Sequence, residues 1–420
     1  MTRLITILFL CISFCCLALG TNAKTVDHSK HKMKSQTAQS ACSQGIMACA
    51  KTISSVADKQ GRIWSTWSHQ QHLYLNYSDD LGRSFSAPML INQIAEKIST
   101  RGENRPKIGV DGHGNVYLSW VTPLSKRFTA NVRFSYFSVK SQQFSAPITI
   151  NNDNLLTGHS FNEMVVTQDG DVYISWLDGR AKVAAAKKGI RLRNSELYLA
   201  HANFVRGKTE FDNNFLAKGT CVCCRLAMDL DEQALPMLMW RHVFGDNYRD
   251  HVFLTMKNQT QANEMKRVSF ENWQVDGCPH QGPSIVRETI GKNANRVHMA
   301  WFNNAPNASG LFYGYSDDNG NSMSKVNHFA QKNNNPEHPF LSQNLKADNA
   351  NERLQLVWRE FNGKAFDIQY QSSAKGDVWT KTRVIASAPQ GVDYPYILQH
   401  PSGNYLHWHV SGQPLELIKL

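Results

Sequence analysis

The chain has 420 residues, of which 41% are hydrophobic, and a net charge of +11. This length is enough for a large buried core, and the charge favours acidic ligands, but no dense basic run or nucleic-acid motif makes nucleic acid an expected partner. The sequence also lacks a phosphate-binding glycine loop, a serine nucleophile elbow and an H-E-x-x-H motif, which argues against hydride transfer, phosphoryl transfer and serine hydrolase chemistry.

Residues 1–23 have the pattern of a secretory signal peptide. Arg3 is followed by an apolar run over residues 4–19 and by small residues that permit cleavage after Gly20 or Ala23. Such a segment is removed during export and does not indicate a membrane span. The sequence therefore predicts a secreted or periplasmic protein whose mature chain begins with an N-terminal segment, residues 24–50.

One short pattern, an apolar strand that ends in tryptophan, recurs seven times at intervals of 50 to 64 residues. Its copies are IWSTW, VYLSW, VYISW, PMLMW, VHMAW, LQLVW and YLHW, which end at Trp67, Trp120, Trp176, Trp240, Trp301, Trp358 and Trp408. Repetition at a period of this size is typical of propellers and other repeat architectures.

Further strands surround most copies of the pattern. A second apolar strand and a turn rich in Gly, Asp and Asn precede it, as in KIGVDGHGN, and a third strand such as HLYLNYS follows. Four short strands per unit predict an all-β fold, a β-propeller over residues 51–420 with seven four-stranded blades, six blades being the alternative. Because the last unit stops after about three strands, we expect residues 43–50 to add the strand that closes the ring.

Two loops that follow third strands, residues 78–85 and 316–323, read SDDLGRSF and SDDNGNSM. They resemble the Asp box, S-x-D-x-G-x-x-[WF], of the sialidase superfamily, and residues 372–379 resemble it more weakly. This resemblance spans residues 51–420 at the level of the repeat. It implies a sialidase-like propeller in which the boxes lie on the face away from the substrate.

Strand order places the start of each first strand beside the end of the second strand, on one face of the ring. The starts carry Arg105, His159, Cys223, Cys224, Cys278, His280, His338, Tyr394 and Tyr396, and the ends carry Asp178, Arg180, Arg241, His242, Arg359, Glu360 and His409. A concentration of charged and nucleophilic side chains at one rim is typical of a functional site.

The resemblance to sialidases implies hydrolysis of a terminal sialic acid, or a related acidic sugar, with no required cofactor. Planar guanidinium groups bind carboxylates through two parallel hydrogen bonds, and the candidates are Arg105, Arg241 and Arg359. Arg105 lies in N-R-P-K-I, which resembles the R-I-P motif of sialidases. The expected partner is therefore an acidic glycan or a small acidic ligand.

The resemblance also implies a tyrosine nucleophile that a neighbouring carboxylate activates, in place of the carboxylate nucleophile of most glycosidases. Tyr394 or Tyr396 with Glu360 fit these two roles. Asp178 is the candidate for the acid that protonates the departing oxygen.

The cysteines of the chain indicate an alternative function, metal binding. Two segments that precede consecutive first strands contain the candidate ligands of a metal site, which are Cys221, Cys223, Cys224, Cys278 and His280. Thiolates with one histidine suit Cu(I) or Zn(II), so the alternative is a non-hydrolytic propeller that binds a ligand, copper or zinc here. The competing interpretation, which export favours, is a disulfide from Cys278 to Cys221, Cys223 or Cys224, with Cys42 paired to Cys49.

Overall fold

Twenty-eight β-strands form nearly all the regular structure of residues 45–331, 335–346 and 352–420, which are the residues that the computed structural model describes. The strands pair into seven antiparallel sheets, each built from strands that are consecutive in sequence. The first strand of each sheet packs against the first strand of the next, and the first strand of the last sheet packs against β1. The predicted all-β propeller is therefore confirmed, with seven blades.

The first four blades differ in the number and length of their outer strands. Blade 1 contains β1 (Ile53–Ala57), β2 (Ile63–His69), β3 (His72–Ser78) and β4 (Met89–Leu90). Blade 2 contains β5 (Lys107–Val110), β6 (Val116–Pro123), β7 (Ala130–Ser138), β8 (Gln143–Phe144) and β9 (Ile148–Thr149). Blade 3 contains β10 (His159–Val166), β11 (Asp171–Asp178), β12 (Ser195–Asn203) and β13 (Lys208–Thr220), with helix α1 (Arg180–Ala186) between β11 and β12. Blade 4 contains β14 (Ala227–Leu230), β15 (Pro236–Arg241), β16 (His251–Thr255) and β17 (Lys266–Arg267).

The last three blades complete the ring. Blade 5 contains β18 (Ser284–Arg287), β19 (Val297–Ala305), β20 (Ala308–Ser316) and β21 (Asn327–Gln331). Blade 6 contains β22 (Glu337–Gln343), β23 (Leu354–Phe361), β24 (Phe366–Ser373) and β25 (Arg383–Ala388). Blade 7 contains β26 (Tyr396–His400), β27 (Gly403–Trp408) and β28 (Glu416–Lys419). In the described residues no helix is long and apolar enough to cross a membrane.

The repeated tryptophans lie on the second strand of every blade and form much of the core. Six of them are fully buried, namely Trp67, Trp120, Trp176, Trp240, Trp301 and Trp358. The clusters that contain them join residues of neighbouring blades, as where Leu75 of blade 1 packs with Leu118 of blade 2. Burying these large aromatic side chains between blades contributes to the stability of the ring.

The described part of the segment expected to close the ring is a 3-10 helix, Met47–Cys49, and not a strand. It nevertheless lies between blades 7 and 1. The amide of Gly412 donates to the carbonyl of Ala48 at 3.0 Å, and Trp67 Nε1 donates to the carbonyl of Gly45 at 2.9 Å. Cys49 is disulfide-bonded, and its expected partner Cys42 lies outside the described residues.

The turns at residues 78–85 and 316–323 have the same hydrogen bonds. In the first, Ser78 Oγ donates to Asp80 Oδ1 at 2.8 Å and accepts from the amide of Gly82 at 2.8 Å, and the amide of Ser84 donates to Asp80 at 2.9 Å. The bonds from Ser84 hold the pKa of Asp80 at about 2. The second turn repeats the three bonds at equivalent positions. Because both turns follow third strands, they lie on the face opposite the starts of the first strands.

Candidate functional site

The register of the strands confirms that first-strand starts and second-strand ends meet on one face. Glu337 at the start of β22 pairs with Arg359 near the end of β23, and His159 at the start of β10 pairs with Asp178 at the end of β11. Eight side chains from these positions and from the loop before β5 meet at the mouth of the ring. We call them the central cluster: Glu103, Arg105, Arg225, Glu337, His338, Arg359, Asp393 and Tyr394.

Glu103 connects three blades at the centre of this cluster. Its Oε1 lies 3.0 Å from Arg225 Nη1 of blade 4 and 2.9 Å from His338 Nδ1 of blade 6. Burial alone would raise the pKa of this carboxyl group, but the charges of Arg225 and His338 outweigh it and lower the pKa to about 2. Glu103 is therefore a carboxylate at any physiological pH, and it cannot serve as an acid.

A β-bulge in β22 directs the side chain of His338 toward the mouth of the ring. The pairing of β22 with β23 shifts between Glu337 and Phe340, and His338 within the bulge has a φ of +54°. A non-glycine residue in the left-handed region is uncommon, and bulges of this kind redirect side chains near functional sites. The bulge thus places the imidazole of His338 over the neighbouring blade.

Tyr394 lies at the mouth between two cationic or polar groups. Its ring stacks on His338 with centroids 3.4 Å apart, and the guanidinium of Arg359 lies 4.4 Å from its centroid. Gly102 packs so close that a Cβ there would lie 2.6 Å from Tyr394 Cε2. Burial raises the pKa of Tyr394. Within the described part of the chain, no residue hydrogen-bonds the Tyr394 hydroxyl.

The arginines of the central cluster are each paired with a carboxylate of the chain. Arg105 binds Asp393 through two bonds of 2.8 and 2.6 Å, and Arg359 binds Glu337 through Nε at 2.7 Å and Nη2 at 2.6 Å. With Arg225 on Glu103, three guanidinium groups balance three carboxylates. A ligand carboxylate that takes both of these bonds from Arg105 or Arg359 therefore replaces the carboxylate that now accepts them.

Arg241 and Glu360, which the sequence predicts to share this site, have other surroundings. Arg241 is fully buried and donates to the carbonyls of Arg249 at 2.9 Å and Phe302 at 2.6 Å. Glu360 accepts from Trp358 Nε1 at 2.7 Å within its own blade. Because neighbours on a strand point to opposite faces, Glu360 points away from the side on which Arg359 meets Tyr394.

Tyr396 and Asp178 are also occupied by structural contacts. The Tyr396 hydroxyl accepts from the amide of Ser55 at 2.7 Å, and burial raises its pKa. Asp178 has no exposed surface and accepts from Trp176 Nε1 at 2.8 Å and Arg180 Nη2 at 2.9 Å. Asp178 is thus a buried and multiply bonded carboxylate, and its role as the acid stays a prediction.

The cysteine segments meet as the strand order predicts. Cys221, Cys223 and Cys224 are buried, Cys278 is exposed, and all four are free thiols, so the expected disulfide between blades is not formed. The ligand atoms of Cys223, Cys278 and His280 lie within 4.8 Å of one another. The five candidate metal ligands therefore form two groups that share Cys223.

Two cavities of the described residues lie away from the central cluster. One of about 10 Å³ is lined by Glu288, His298 and Gln343, and an open groove of about 500 Å³ is lined by residues that include Gly219 and His242.

Sequence reasoning missed Glu103, Arg225, Glu337 and Asp393. Glu337 could have been predicted from the sequence, because it directly precedes the predicted His338 and its strand pairs with the strand of Arg359. The other three are recognised only from their contacts, since Glu103 and its partner His338 are 235 positions apart.

Comparison with known proteins adds solved structures of low identity. No protein-family model matches the chain, and no curated protein matches it in sequence. A Hadza microbial sialidase aligns with a TM-score of 0.49 and 10% identity, over 83% of this chain and 74% of that one. An ulvan lyase aligns with a TM-score of 0.49 and 8% identity, over 86% and 90%. An α-L-arabinanase of Penicillium chrysogenum aligns with a TM-score of 0.45 and 10% identity, over 75% and 89%.

Proposed function

We propose that the chain is an exported glycoside hydrolase that removes a terminal sialic acid, or a related acidic sugar, at the central cluster. The observation that supports this proposal most is the placement of Tyr394. Its hydroxyl has no hydrogen-bond partner in the described residues, and its ring lies at the mouth between the Arg359 guanidinium and the His338 imidazole. A phenol in this position is accessible to a ligand and close to a cation that stabilises its phenolate.

Glu337 takes the role of the activating carboxylate that the sequence assigned to Glu360. It is bound to Arg359, it lies 3.6 Å from His338 Nε2, and its charge acts on Tyr394. In the proposed reaction Glu337 accepts the proton of Tyr394, and the phenolate oxygen bonds to the anomeric carbon while the bond to the departing oxygen breaks. The departing oxygen takes a proton from solvent water at the mouth of the ring. Water then attacks the anomeric carbon and the bond to Tyr394 breaks. The Tyr394 phenolate takes back its proton from Glu337, and one proton of the water passes to solvent.

The chemistry of the nucleophile supports an acidic sugar. Sialic acids carry a carboxylate on the anomeric carbon, which repels a carboxylate nucleophile, whereas tyrosine is uncharged until it gives up its proton. The substrate carboxylate replaces Glu337 on Arg359 in this proposal. Glu337 then loses its cationic partner and becomes a stronger base, so that binding of an acidic sugar activates Tyr394.

The test is hydrolysis of a panel of sialosides by the purified mature protein from acid to neutral pH. Tyr394→Phe should lower kcat by roughly 10³-fold or more, as for loss of a nucleophile. The matched control is Tyr315→Phe, which removes a phenol hydroxyl that bonds Asp377 on the opposite face. A fluorinated sugar that slows the second step should leave its mass on a peptide that contains Tyr394.

Two results would contradict the proposal. One is a wild-type protein that hydrolyses none of the sialosides, and the other is a Tyr394→Phe variant with wild-type kcat. Because Tyr394→Phe keeps the ring that stacks on His338, its thermal unfolding should match that of the wild type, which separates loss of chemistry from loss of fold.

A further inference from the structure

Three buried thiols lie together just before the first strand of blade 4. Cys221, Cys223 and Cys224 have 1%, 5% and 2% of their surface exposed. Cys221 Sγ lies 3.9 Å from Cys223 Sγ and 2.9 Å from Cys224 Sγ. We call these residues the cysteine cluster. Backbone contacts fix it in the fold, since the amide of Cys221 donates to the carbonyl of Arg241 at 3.0 Å.

Cations surround the cysteine cluster. Arg249 Nη1 donates to Cys221 Sγ at 3.5 Å, and the charge of buried Arg241 acts on both Cys221 and Cys224. Phe161 packs on the apolar side of the cluster. Buried guanidinium groups favour thiolates over thiols and compensate the negative charge that a metal bound by three thiolates would carry.

The geometry of the cluster suits three-coordinate binding. With a metal–sulfur bond of about 2.3 Å, two thiolates of a trigonal site lie about 4 Å apart. Cys221 and Cys223 already have this separation, at 3.9 Å, whereas Cys221 and Cys224 have to move apart by about 1 Å. All three sulfur atoms lie within 4.8 Å of one another.

A second group of ligands shares one residue with the cysteine cluster. Cys223 belongs to the buried group and also lies within 4.8 Å of the exposed pair Cys278 and His280. That pair does not join Cys221 and Cys224 in one four-ligand set among the described residues. Structural zinc sites are almost always tetrahedral, while soft thiolate ligands select Cu(I). The arrangement therefore favours Cu(I) over Zn(II).

We propose that Cys221, Cys223 and Cys224 bind one Cu(I) ion, and that Cys278 and His280 are the solvent-accessible ligands through which the ion reaches them. Cys223 is the ligand common to both positions, so the ion moves inward by exchanging ligands without leaving the protein. Each thiol that is still protonated releases its proton on binding, and no electron is transferred. This site is separate from the proposed hydrolysis at Tyr394.

The experiment uses the mature protein, reduced and kept without oxygen, titrated with Cu(I) in competition with bicinchoninate. We expect one copper per chain in the native mass, three sulfur ligands by X-ray absorption, and no displacement by equimolar Zn(II). Cys224→Ser should weaken Cu(I) binding by more than about 100-fold, because even residues outside the ligand set typically change metal affinity by 10- to 100-fold.

The matched control removes the accessible ligands instead. Cys278→Ser with His280→Ala should keep the affinity of the buried site and slow the loading of copper. If Cys224→Ser does not fold, the sulfur count of the loaded wild type still decides the proposal. Unchanged affinity in Cys224→Ser, preference for Zn(II), or a reduced protein that binds no copper would overturn it, as would a Cys221–Cys224 disulfide that excludes copper from protein taken from its own compartment.

Discussion

Glu103 Oε1 lies 2.9 Å from His338 Nδ1, although Glu103 precedes blade 2 and His338 begins blade 6. In a ring of seven, these blades are three positions apart, which is the largest separation that the ring allows. Arg225 of blade 4 binds the same oxygen at 3.0 Å. A single carboxylate therefore connects segments of blades 2, 4 and 6, and it binds the imidazole on which Tyr394 stacks.

Glu103→Gln should destabilise the protein in a pH-dependent way. The pKa of Glu103 is lowered from an ordinary value of 4.5 to about 2 in the folded state, so the carboxylate contributes about 3 kcal/mol at neutral pH. This contribution is present above the unfolded pKa and is lost as the pH falls toward the folded pKa. The free energy of urea unfolding should differ by about 3 kcal/mol at pH 7, and the difference should shrink between about pH 5 and about pH 2.

The control for this prediction is Glu264→Gln, since Glu264 is largely exposed and, among the described residues, forms an ion pair only with Lys266. Its unfolding free energy should stay within about 0.5 kcal/mol of the wild type at every pH. A Glu103→Gln difference that does not change with pH would show that the charge of Glu103 is not what stabilises the mouth.

The seven blades were predictable because each repeats the same local requirement, a buried strand that ends in tryptophan after a tight turn. The meeting of Glu337 and Arg359 on one face followed from strand order, since any antiparallel pair returns its second strand to the start of the first. The local sequence pattern is therefore enough to predict the fold and the face of the ring on which the central cluster lies.

Local pattern does not decide which arginine reaches the mouth. Arg241 and Arg359 both directly follow the repeated tryptophan, but Arg359 lies opposite Glu337, which turns its guanidinium toward the mouth. Arg241 pairs with His251 of β16, its own carbonyl accepts from the amide of Cys221, and its guanidinium binds carbonyls inside the protein. The residue across the strand pair makes the difference, and it comes from a different part of the sequence.

Ser78→Ala and Ser316→Ala should lower stability by similar amounts, because the two turns have the same hydrogen bonds. Each serine is buried, accepts from a glycine amide at 2.8 Å and donates to an aspartate at 2.8 Å. Loss of the hydroxyl leaves that amide without its acceptor, at about 1 to 2 kcal/mol. The turns belong to blades 1 and 5 and share no partner, so the double variant should equal the sum of the two in urea unfolding. A sum that fails by more than about 1 kcal/mol would mean that the turns are coupled through the ring.

Arg241→Lys should reduce stability rather than remove a ligand contact. Lysine cannot reach the carbonyls of Arg249 and Phe302 together, because it lacks the planar group that now binds them at 2.9 and 2.6 Å. We expect a loss of about 2 to 4 kcal/mol in the free energy of unfolding. Arg206→Lys, at an exposed position, should change it by less than about 0.5 kcal/mol. An Arg241→Lys protein that keeps wild-type stability but binds its ligand more weakly would contradict this prediction. It would indicate that Arg241 contacts the ligand.

The pair of Arg105 and Asp393 should couple blade 2 to blade 7. Both side chains are almost fully buried, with 8% and 6% of their surface exposed, and Arg105 Nη1 also points to the carbonyl of Ile53 in blade 1 at 3.4 Å. Removing one partner leaves the other as an unpaired buried charge, which costs about 3 to 5 kcal/mol. Arg105→Gln and Asp393→Asn should each show this loss.

The double variant distinguishes a true pair from two independent contributions. Because Arg105→Gln with Asp393→Asn removes both charges, it should be more stable than the sum of the single variants predicts, with a coupling energy of about 2 kcal/mol or more from urea unfolding. Arg62 and Asp79 form the same two-bond geometry in solvent, with 35% and 58% of their side chains exposed, and their cycle should give less than about 1 kcal/mol. Equal coupling in the two cycles would mean that burial does not strengthen the bond between blade 2 and blade 7, and that the Arg105–Asp393 pair contributes no more to the ring than an exposed pair does.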